Sequence, residues 1–440
     1  MKASLSLVAL FAACRGAERP HPGTAAAFAI EVGQAGQMIR GVAGDGADVL
    51  VARGDVAHSE LEARAPSAIA WHVALPGFAG VATVAAGALA ATLAATGKVE
   101  GLGAAMELHG EPSAAIVALD AATGAVKWRV PCDGTEFAVI TAIAPADGGG
   151  ALVGGTFAGT LRVGDAANAG GTARNVVASA GKSDGFVTAI TADGHVRWVV
   201  RVGGANADTV QGVAARGDRV AIAGTFMAGA ELLGEPLVPF DEKLPRPDGF
   251  VAELDIHGAR RWSTTFGGKL ADSVAGVAID ARQRVAVAAT VRDTIKLDGR
   301  DLGTRGAADG LVAWFSPGGE AGAAILIGGT EFDGLRALAA VDDRVVVGGF
   351  FHGALALGKR ALDSNGGDDG FLAVVNASGE IETSWHLAGA GREEVTALSA
   401  VPGGFVAGVA HSAELVVDDA KLPAPADPAS GGAVIGRPAP

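Results

Sequence analysis

The sequence predicts an all-β chain: a single seven-bladed β-propeller of four-stranded antiparallel blades, closed by an N-terminal strand that joins the last blade. Three observations carry this prediction. A unit of about sixty residues recurs along the chain. Each clear unit holds four short apolar segments bounded by Gly or Asp turns, with no helix between them. The two chain ends supply the strands that the last unit lacks.

The repeat comes first, because missing a fixed period miscalls the whole fold. Asp-Gly-Phe or Asp-Gly-Leu starts at Asp184, Asp248, Asp309 and Asp369, spaced 64, 61 and 60 residues apart. A tryptophan follows in three of these units, at Trp198, Trp262 and Trp385, taken here as one recurring position; the unit from Asp309 has Ala323 instead. A weaker copy, Ser113-Ala-Ala-Ile followed by Trp128, precedes them. In the clearest unit the four segments are C (250–254), D (261–266), A (273–279) and B (284–289). Their links Asp255-Ile-His-Gly and Asp280-Ala-Arg-Gln are polar and hairpin-sized.

Strand A starts near Gln37, Ala79, Ala138, Asp208, Asp272, Asp333 and Glu394, which makes seven units. The last unit ends in a C-like segment, 431–436, and lacks a D; residues 28–33 near the N-terminus supply it. Joining both ends in one blade removes free sheet edges. Six or eight blades stay open as alternatives, because the first two units are short and divergent. The organisation that follows is a signal segment (1–14), a short linker (15–27), the propeller (28–436) and a tail (437–440).

Composition agrees. Of 440 residues, 49% are hydrophobic and 19% charged, so a buried core forms and disorder is excluded. There are 67 Gly, 16 Phe, 6 Trp and no Tyr, so Ala and Val fill most interior positions. A formal charge of −14 argues against nucleic acid, whose binding needs clustered Lys and Arg, and the absence of a basic stripe with interleaved aromatics argues against anionic partners in general. Cations and basic partners fit that charge.

The start, MKASLSLVALFAAC, has one Lys and then an apolar run (3–13), the shape of a secretory signal. It is too short to span a bilayer. Its Leu-Phe-Ala-Ala-Cys ending resembles a bacterial lipobox, with Phe11 where Leu is usual; Cys14 would then be the lipid-attachment residue. The alternative is an ordinary leader that discards Cys14. The expected location is outside the cytoplasm: periplasm, outer membrane or cell surface. Cys132, the other cysteine, has no partner in a mature chain and reads as a buried thiol. The uncharged stretch 78–97 is long enough to cross a membrane but is mostly Ala, Gly and Thr and fits the repeat, so no membrane span is expected there.

Phrases such as DGFVAELDIHGARRWSTTFGG, followed by ADSVAGVAIDARQRVAVAAT, resemble the bacterial β-propeller repeats known as SBBP repeats. The extensions GTFAGTLRVG (155–164) and GTFMAGAELLG (224–234) are similar to versions in exported myxobacterial-type surface lipoproteins. The resemblance covers most of 110–435 and faintly 28–110. It implies fold and export, and next to nothing about activity, since a propeller hosts many functions. Locally, Ala118-Leu-Asp-Ala-Ala-Thr-Gly-Ala-Val-Lys-Trp128 resembles one repeat of the pyrroloquinoline quinone type, shared by quinoprotein dehydrogenases and outer-membrane assembly lipoproteins. It occurs once, without an adjacent cysteine pair, and reads as propeller grammar.

Strand parity places the D–A and B–C connections on one face and the A–B and C–D hairpins on the other. The long connections, 158–183, 226–247, 292–308, 351–368 and 410–430, are all B–C. Loops of this kind on a rigid scaffold are where binding usually resides. On that face Asp208, Asp272, Asp333 and Glu394 stand just before strand A and should gather around the channel mouth. Such an arc could hold a cation or a basic peptide; the plainer reading is that each carboxylate caps amides of its own turn. Asp184, Asp248, Asp309 and Asp369, opening strand C, recur in every strong unit and read as structural. Trp128, Trp198, Trp262 and Trp385 read as packing between adjacent blades.

Residues 363–369, DSNGGDD, carry a faint likeness to a calcium loop but lack the ligand spacing and terminal Glu. Calcium is thus the one metal with any support, and no cofactor is expected. Arg53-Gly-Asp55 and Arg216-Gly-Asp218 have integrin-type spelling only. No phosphate-binding loop, His-Glu-x-x-His or Gly-x-Ser-x-Gly motif occurs, and the nine His residues are scattered. The expected function is a non-catalytic binding module at the cell envelope, its ligand a protein or glycan. The alternatives are a structural assembly lipoprotein, and a glycan-active hydrolase or lyase or quinoprotein-like enzyme. Membrane contact is expected only through a lipid anchor. Oligomeric state and ligand identity are not legible.

Overall fold

The computed structural model describes residues 28–438 except 32–37, 46–47, 55–57, 66–67, 77–80, 85–87, 101, 103–104, 165–174, 419 and 426–430. The signal segment, the linker and Cys14 lie outside the described residues, as do Gln37 and Ala79. The described residues contain no α-helix and form seven antiparallel sheets arranged as blades.

Blade 1 is Met38–Asp45, Asp48–Gly54, His58–Ala65 and Ala68–Pro76, in the order A to D. Blade 2 is Val81–Val84, Ala88–Val99, Met106–Asp120 and Val126–Gly134. Blade 3 is Phe137–Ala146, Gly150–Ala158, Asp184–Ile190 and Val196–Gly203. Blade 4 is Thr209–Arg216, Arg219–Phe226, Asp248–Asp255 and Arg260–Gly268. Blade 5 is Ser273–Ile279, Val285–Val291, Asp309–Phe315 and Ala321–Ile327. Blade 6 is Gly334–Val341, Arg344–Phe351, Asp369–Asn376 and Ile381–Ala388. Blade 7 is Glu393–Val401, Gly404–His411 and Gly431–Pro438, with Phe28–Glu31 as its D strand. The closing pair runs from Phe28 opposite Gly436 to Glu31 opposite Ala433. The last strand continues to Pro438, two residues past the expected end of the propeller. The uncharged stretch 78–97 contributes strands of blade 2.

The four-stranded blades are present, and four of them are extended. Blades 2, 3, 4 and 6 have six strands, because the long B–C connections are not free loops. Each folds into a short hairpin that crosses back and extends the D edge of the preceding blade. Leu161 pairs with Gly134, Leu232 with Val202, Leu297 with Phe266 and Val417 with Leu387. The hairpin of blade 6 (Ala354–Leu357 with Arg360–Asp363) pairs only with itself, beside strand D of blade 5. Covered edges no longer template pairing with other chains.

The core is made of small side chains, as the composition requires. Strand B of blade 5 and its neighbour C are buried from end to end. Glycine is obligatory where backbones touch: a Cβ on Gly224 would sit 2.0 Å from the Thr209 carbonyl oxygen. The local likeness at 118–128 reduces to turn chemistry, since Asp120 Oδ1 accepts from the amides of Ala122 and Thr123. Cys132 is fully buried, and burial pushes its thiol pKa up, so it stays protonated and inert.

The tryptophans divide differently from the expectation. Trp128, Trp198 and Trp262 occupy one register position on strand D, opposite Ala118, Ala189 and Glu253. Trp71, opposite Ala63, joins them. Trp71, Trp128 and Trp198 donate their indole N–H at 2.8 Å to carbonyls of Ala121, Ala192 and Ile256, in the C–D hairpin of the next blade. A hairpin glycine with positive φ lets each ring approach: Gly124, Gly194, Gly258, and Gly319 under Trp262. Trp385 is not of this set. It lies opposite Leu372 and meets Phe405 edge-on at 5.5 Å, because it stands two residues further along its unit.

Trp198→Ala is expected to cost about 3–5 kcal/mol, and Trp198→Phe, which keeps most of the packing, about 1 kcal/mol for the lost hydrogen bond. Guanidinium unfolding followed by circular dichroism checks both. Equal losses would show that packing is not what the ring contributes.

Candidate binding face

The face that carries the D–A and B–C connections is organised by carboxylates. Asp208 is buried; its Oδ2 accepts from the Gly204 amide and its Oδ1 from the Met227 amide, both at 2.8 Å. Asp333 does the same with Gly329 at 2.6 Å and His352 at 2.9 Å. Asp272 accepts from the Arg292 amide at 3.1 Å. Each acid thereby ties the D–A loop before it to the first residue after strand B. The expected arc thus consists of carboxylates turned into their own loops. The fourth member is displaced by one residue: the equivalent position is Glu393, fully buried, not Glu394. Its amide donates to the Asp368 carbonyl at 2.7 Å, as those of Asp208, Asp272 and Asp333 donate to Ser183, Pro247 and Ala308. Glu394 instead points along strand A, 3.5 Å from Arg336 and from Arg392.

Those backbone bonds bring the two sets of repeat acids together. Asp184 faces Asp208, Asp248 faces Asp272, Asp309 faces Asp333 and Asp369 faces Glu393. A Cβ on Gly203 would lie 2.8 Å from Asp184 Cγ and 2.9 Å from Asp208 Oδ2, so this glycine is what lets the pair form. Gly267 and Gly328 make the same room for Asp248 and Asp309. Asp184 also takes Arg201 at 2.7 Å, and Asp369 takes His386 Nε2 at 2.6 Å. Sequence reading treated the two sets separately. The signal was there: each pair is 24 residues apart in all four units.

Burial is the main cause of the acids' behaviour. It pushes Asp208 and Asp248 up to about 6, and Asp272 and Glu393 up to about 7, with the facing aspartate adding to the rise for Asp208, Asp272 and Glu393. Asp309 and Asp333 are raised for the same reason. The calcium-like loop is otherwise engaged: Asp368 meets His352 and Arg392 at 3.3 Å each. The described residues hold no group of three or more His, Cys, Asp or Glu placed to share a metal ion. Of the two Arg-Gly-Asp spellings, Arg53 is buried against Glu60 and Glu62, and Asp218 pairs with Arg261.

Strand A lines the central channel, a cavity of about 450 Å3. In blades 1 and 3 to 7 this strand carries a β-bulge at one register position, for instance between Leu335 and Ala337. A bulge re-aims the extra side chain. Thr141, Gln211, Ala275, Arg336 and Thr396 occupy it and face the channel, among mostly apolar or glycine neighbours.

Beside the channel mouth, between blades 5 and 6, lies a cleft of about 320 Å3. Arg292 sits over the Phe332 ring at 5.2 Å, and Arg336 over Phe350 at 4.8 Å. The two rings are stacked 5.9 Å apart at 18°. Phe332 is 38% exposed, and neighbouring Leu270 is 43% exposed. No sequence motif marked this cleft, since its residues sit at positions where the other units carry different side chains.

No protein-family model matches the chain, and no curated protein matches it. Among solved structures it is similar to a quinohemoprotein alcohol dehydrogenase from Pseudomonas putida HK5, at 14% identity and TM-score 0.41, over 91% of this chain and 68% of that one. It is also similar to a europium-containing methanol dehydrogenase, at 11% identity and TM-score 0.38, over 85% and 83%. Likeness at this level says nothing of chemistry. Among the described residues the channel lining holds neither an aromatic ring nor a carboxylate.

The raised acids set the pH response. A carboxyl that ordinarily titrates near 4, held protonated to pH 6 or 7 in the fold, stabilises the fold fully below its unfolded pKa and loses that effect as pH rises through the folded one. His411, lowered by burial, opposes this below about pH 6.5. With six raised acids against one such histidine, the melting temperature is expected to rise from pH 8 to pH 5. Asp272→Asn, which keeps the Oδ1 acceptor, should flatten that slope and raise the melting temperature at pH 8. Differential scanning calorimetry across this range checks both; a melting temperature that falls toward pH 5 would remove the buried acids as its cause.

Proposed function

We propose that this propeller is an exported, non-catalytic binding module of the cell envelope, of the SBBP-repeat type, that engages its ligand with the face carrying the D–A and B–C connections. One observation carries the reading. The junction carboxylates Asp208, Asp272 and Asp333 serve backbone amides, while exposed Arg336, Phe332 and Leu270 and half-buried Arg292 stand beside them on the same face. Groups spent on capping hold a surface rigid, and exposed aromatic and arginine side chains are the types that carry recognition. The opposite face consists of tight hairpins.

The leader-like segment ending at Cys14 supports export and lipid anchoring. Cys14→Ser is expected to move the chain from the membrane fraction to the soluble exported fraction. Unchanged membrane retention would rule out the anchor.

For the face itself, residues 28–440 are immobilised and a solubilised envelope extract is passed over them. Leu270→Glu with Phe332→Ser is expected to reduce binding at least tenfold. His257→Glu, in a hairpin of the opposite face, should leave it unchanged. The reverse pattern would assign recognition to the other face.

A further inference from the structure

The mouth of the channel offers one seat built for a ligand. The capping logic places a different side chain after strand B in each unit: Met227, Arg292, His352 and Ser412. In blade 5 that side chain is Arg292, whose amide is held by Asp272. The bulge of blade 6 independently aims Arg336 toward the same cleft. Two guanidinium groups from different elements therefore converge on a pair of stacked phenyl rings.

This convergence has consequences for charge. Among the described residues no carboxylate lies within 4.0 Å of the Arg292 guanidinium, and its partner is the face of Phe332. Arg336 Nε pairs with Glu394 at 3.5 Å, and its other guanidinium donors have no carboxylate among the described residues. Stacking on a phenyl face orients a guanidinium without using its N–H donors. Those donors are then free for a carboxylate, which a guanidinium meets with two parallel hydrogen bonds. The exposed Ser273 hydroxyl stands at the rim, and the phenyl edges give an apolar floor between the charges. The cleft volume lies at the lower end of the range for small-molecule sites, roughly 300–1,000 Å3.

We propose that the cleft between blades 5 and 6 binds a small organic dianion, with one acidic group on Arg292, the other on Arg336 and an apolar spacer against Phe332 and Phe350. The proposal rests on the binding-face reading and specifies its ligand class. It departs from the sequence expectation against anionic partners: a formal charge of −14 repels a polyanion overall, while one cleft can still seat a compact dianion. Asp272 also lines the cleft, and as a protonated group below about pH 7 it carries no charge against the ligand.

The test is isothermal titration calorimetry of residues 28–440 with glutarate, phthalate and, as single-centre oxyanions, acetate and inorganic phosphate. Expected is binding of at least one dicarboxylate, tenfold or more tighter than acetate or phosphate, weakened by added salt and stronger at pH 6 than at pH 8. Arg292→Gln and Arg336→Gln should each weaken it at least tenfold, and Arg197→Gln, on the outer strand of blade 3, should not. Circular dichroism confirms that each variant is folded. No binding of either dicarboxylate, equal binding of phosphate, or indifference to both cleft variants overturns the proposal. If dicarboxylates fail while the Leu270/Phe332 variant still loses the envelope ligand, the ligand class falls and the binding face stands. If dicarboxylates bind and envelope binding ignores that variant, the face reading falls and the cleft stands.

Discussion

Everything on the working face hangs from buried carboxylates that accept backbone hydrogen bonds at the blade junctions. A carboxylate taken from water costs several kcal/mol unless it finds donors or a proton, and here both are provided. The Asp208 and Asp333 side chains each take two amides, and their own amides reach across to the preceding blade. Three chain segments from two blades thus meet at each acid. These junctions, the tryptophans under the neighbouring hairpins and the B–C hairpins paired to the preceding blade together set the registry of the blades. The facing aspartate of strand C makes the arrangement costlier in the charged state. That is why burial and like charge together hold these groups protonated toward neutral pH.

The same requirement explains the glycines. A D–A loop that passes between two carboxylates has no room for a side chain: Gly203, Gly267 and Gly328 are each within 3 Å of an acid, measured from where a Cβ would be. The amides of Gly204 and Gly329, the residues that follow two of them, are donors to the caps. The Gly-Gly pairs are therefore part of the acid's coordination and not merely flexible turns. In the last junction the loop is Ala388-Gly389-Ala390-Gly391, and a Cβ on Gly389 would meet Glu393 at 2.4 Å. A glutamate with its longer arm replaces aspartate there, and the same contact is kept with a shifted glycine.

Architecture was legible because it repeats: Asp-Gly-Phe marks, turn chemistry and the strand left over at each end were enough to count blades and close the ring. What failed was register, where a repeat drifts by one or two residues. Glu393 and Glu394 stand side by side, so the repeat alone does not separate them; the backbone bond to Asp368 and full burial mark Glu393. Trp385 was grouped with Trp198 although it lies on the same strand two residues on, and two residues along a strand restores the face but not the partner. The long connections were read as loops because the hairpins within them, such as Thr294–Leu297, are only four residues a side and gain their partner from another blade. Periodicity is too weak a signal at that length.

The proposed recognition rests on this division between what recurs and what varies. The acids before strand A, the glycines beside them and the strand C aspartates hold the same places at four of the junctions, which marks them as frame. The residue that follows strand B and the residue in the strand A bulge are held by that recurring frame but differ from unit to unit. Only between blades 5 and 6 do both variable positions carry arginine, and only there does each rest on a phenylalanine. The frame that spends its carboxylates on backbone amides leaves Arg292 without an ion pair among the described residues and Arg336 with Glu394 alone. In a chain with an excess of acidic side chains, an arginine that stacks on a ring and leaves its donors to solvent is a position where packing within the fold has been given up for contact outside it.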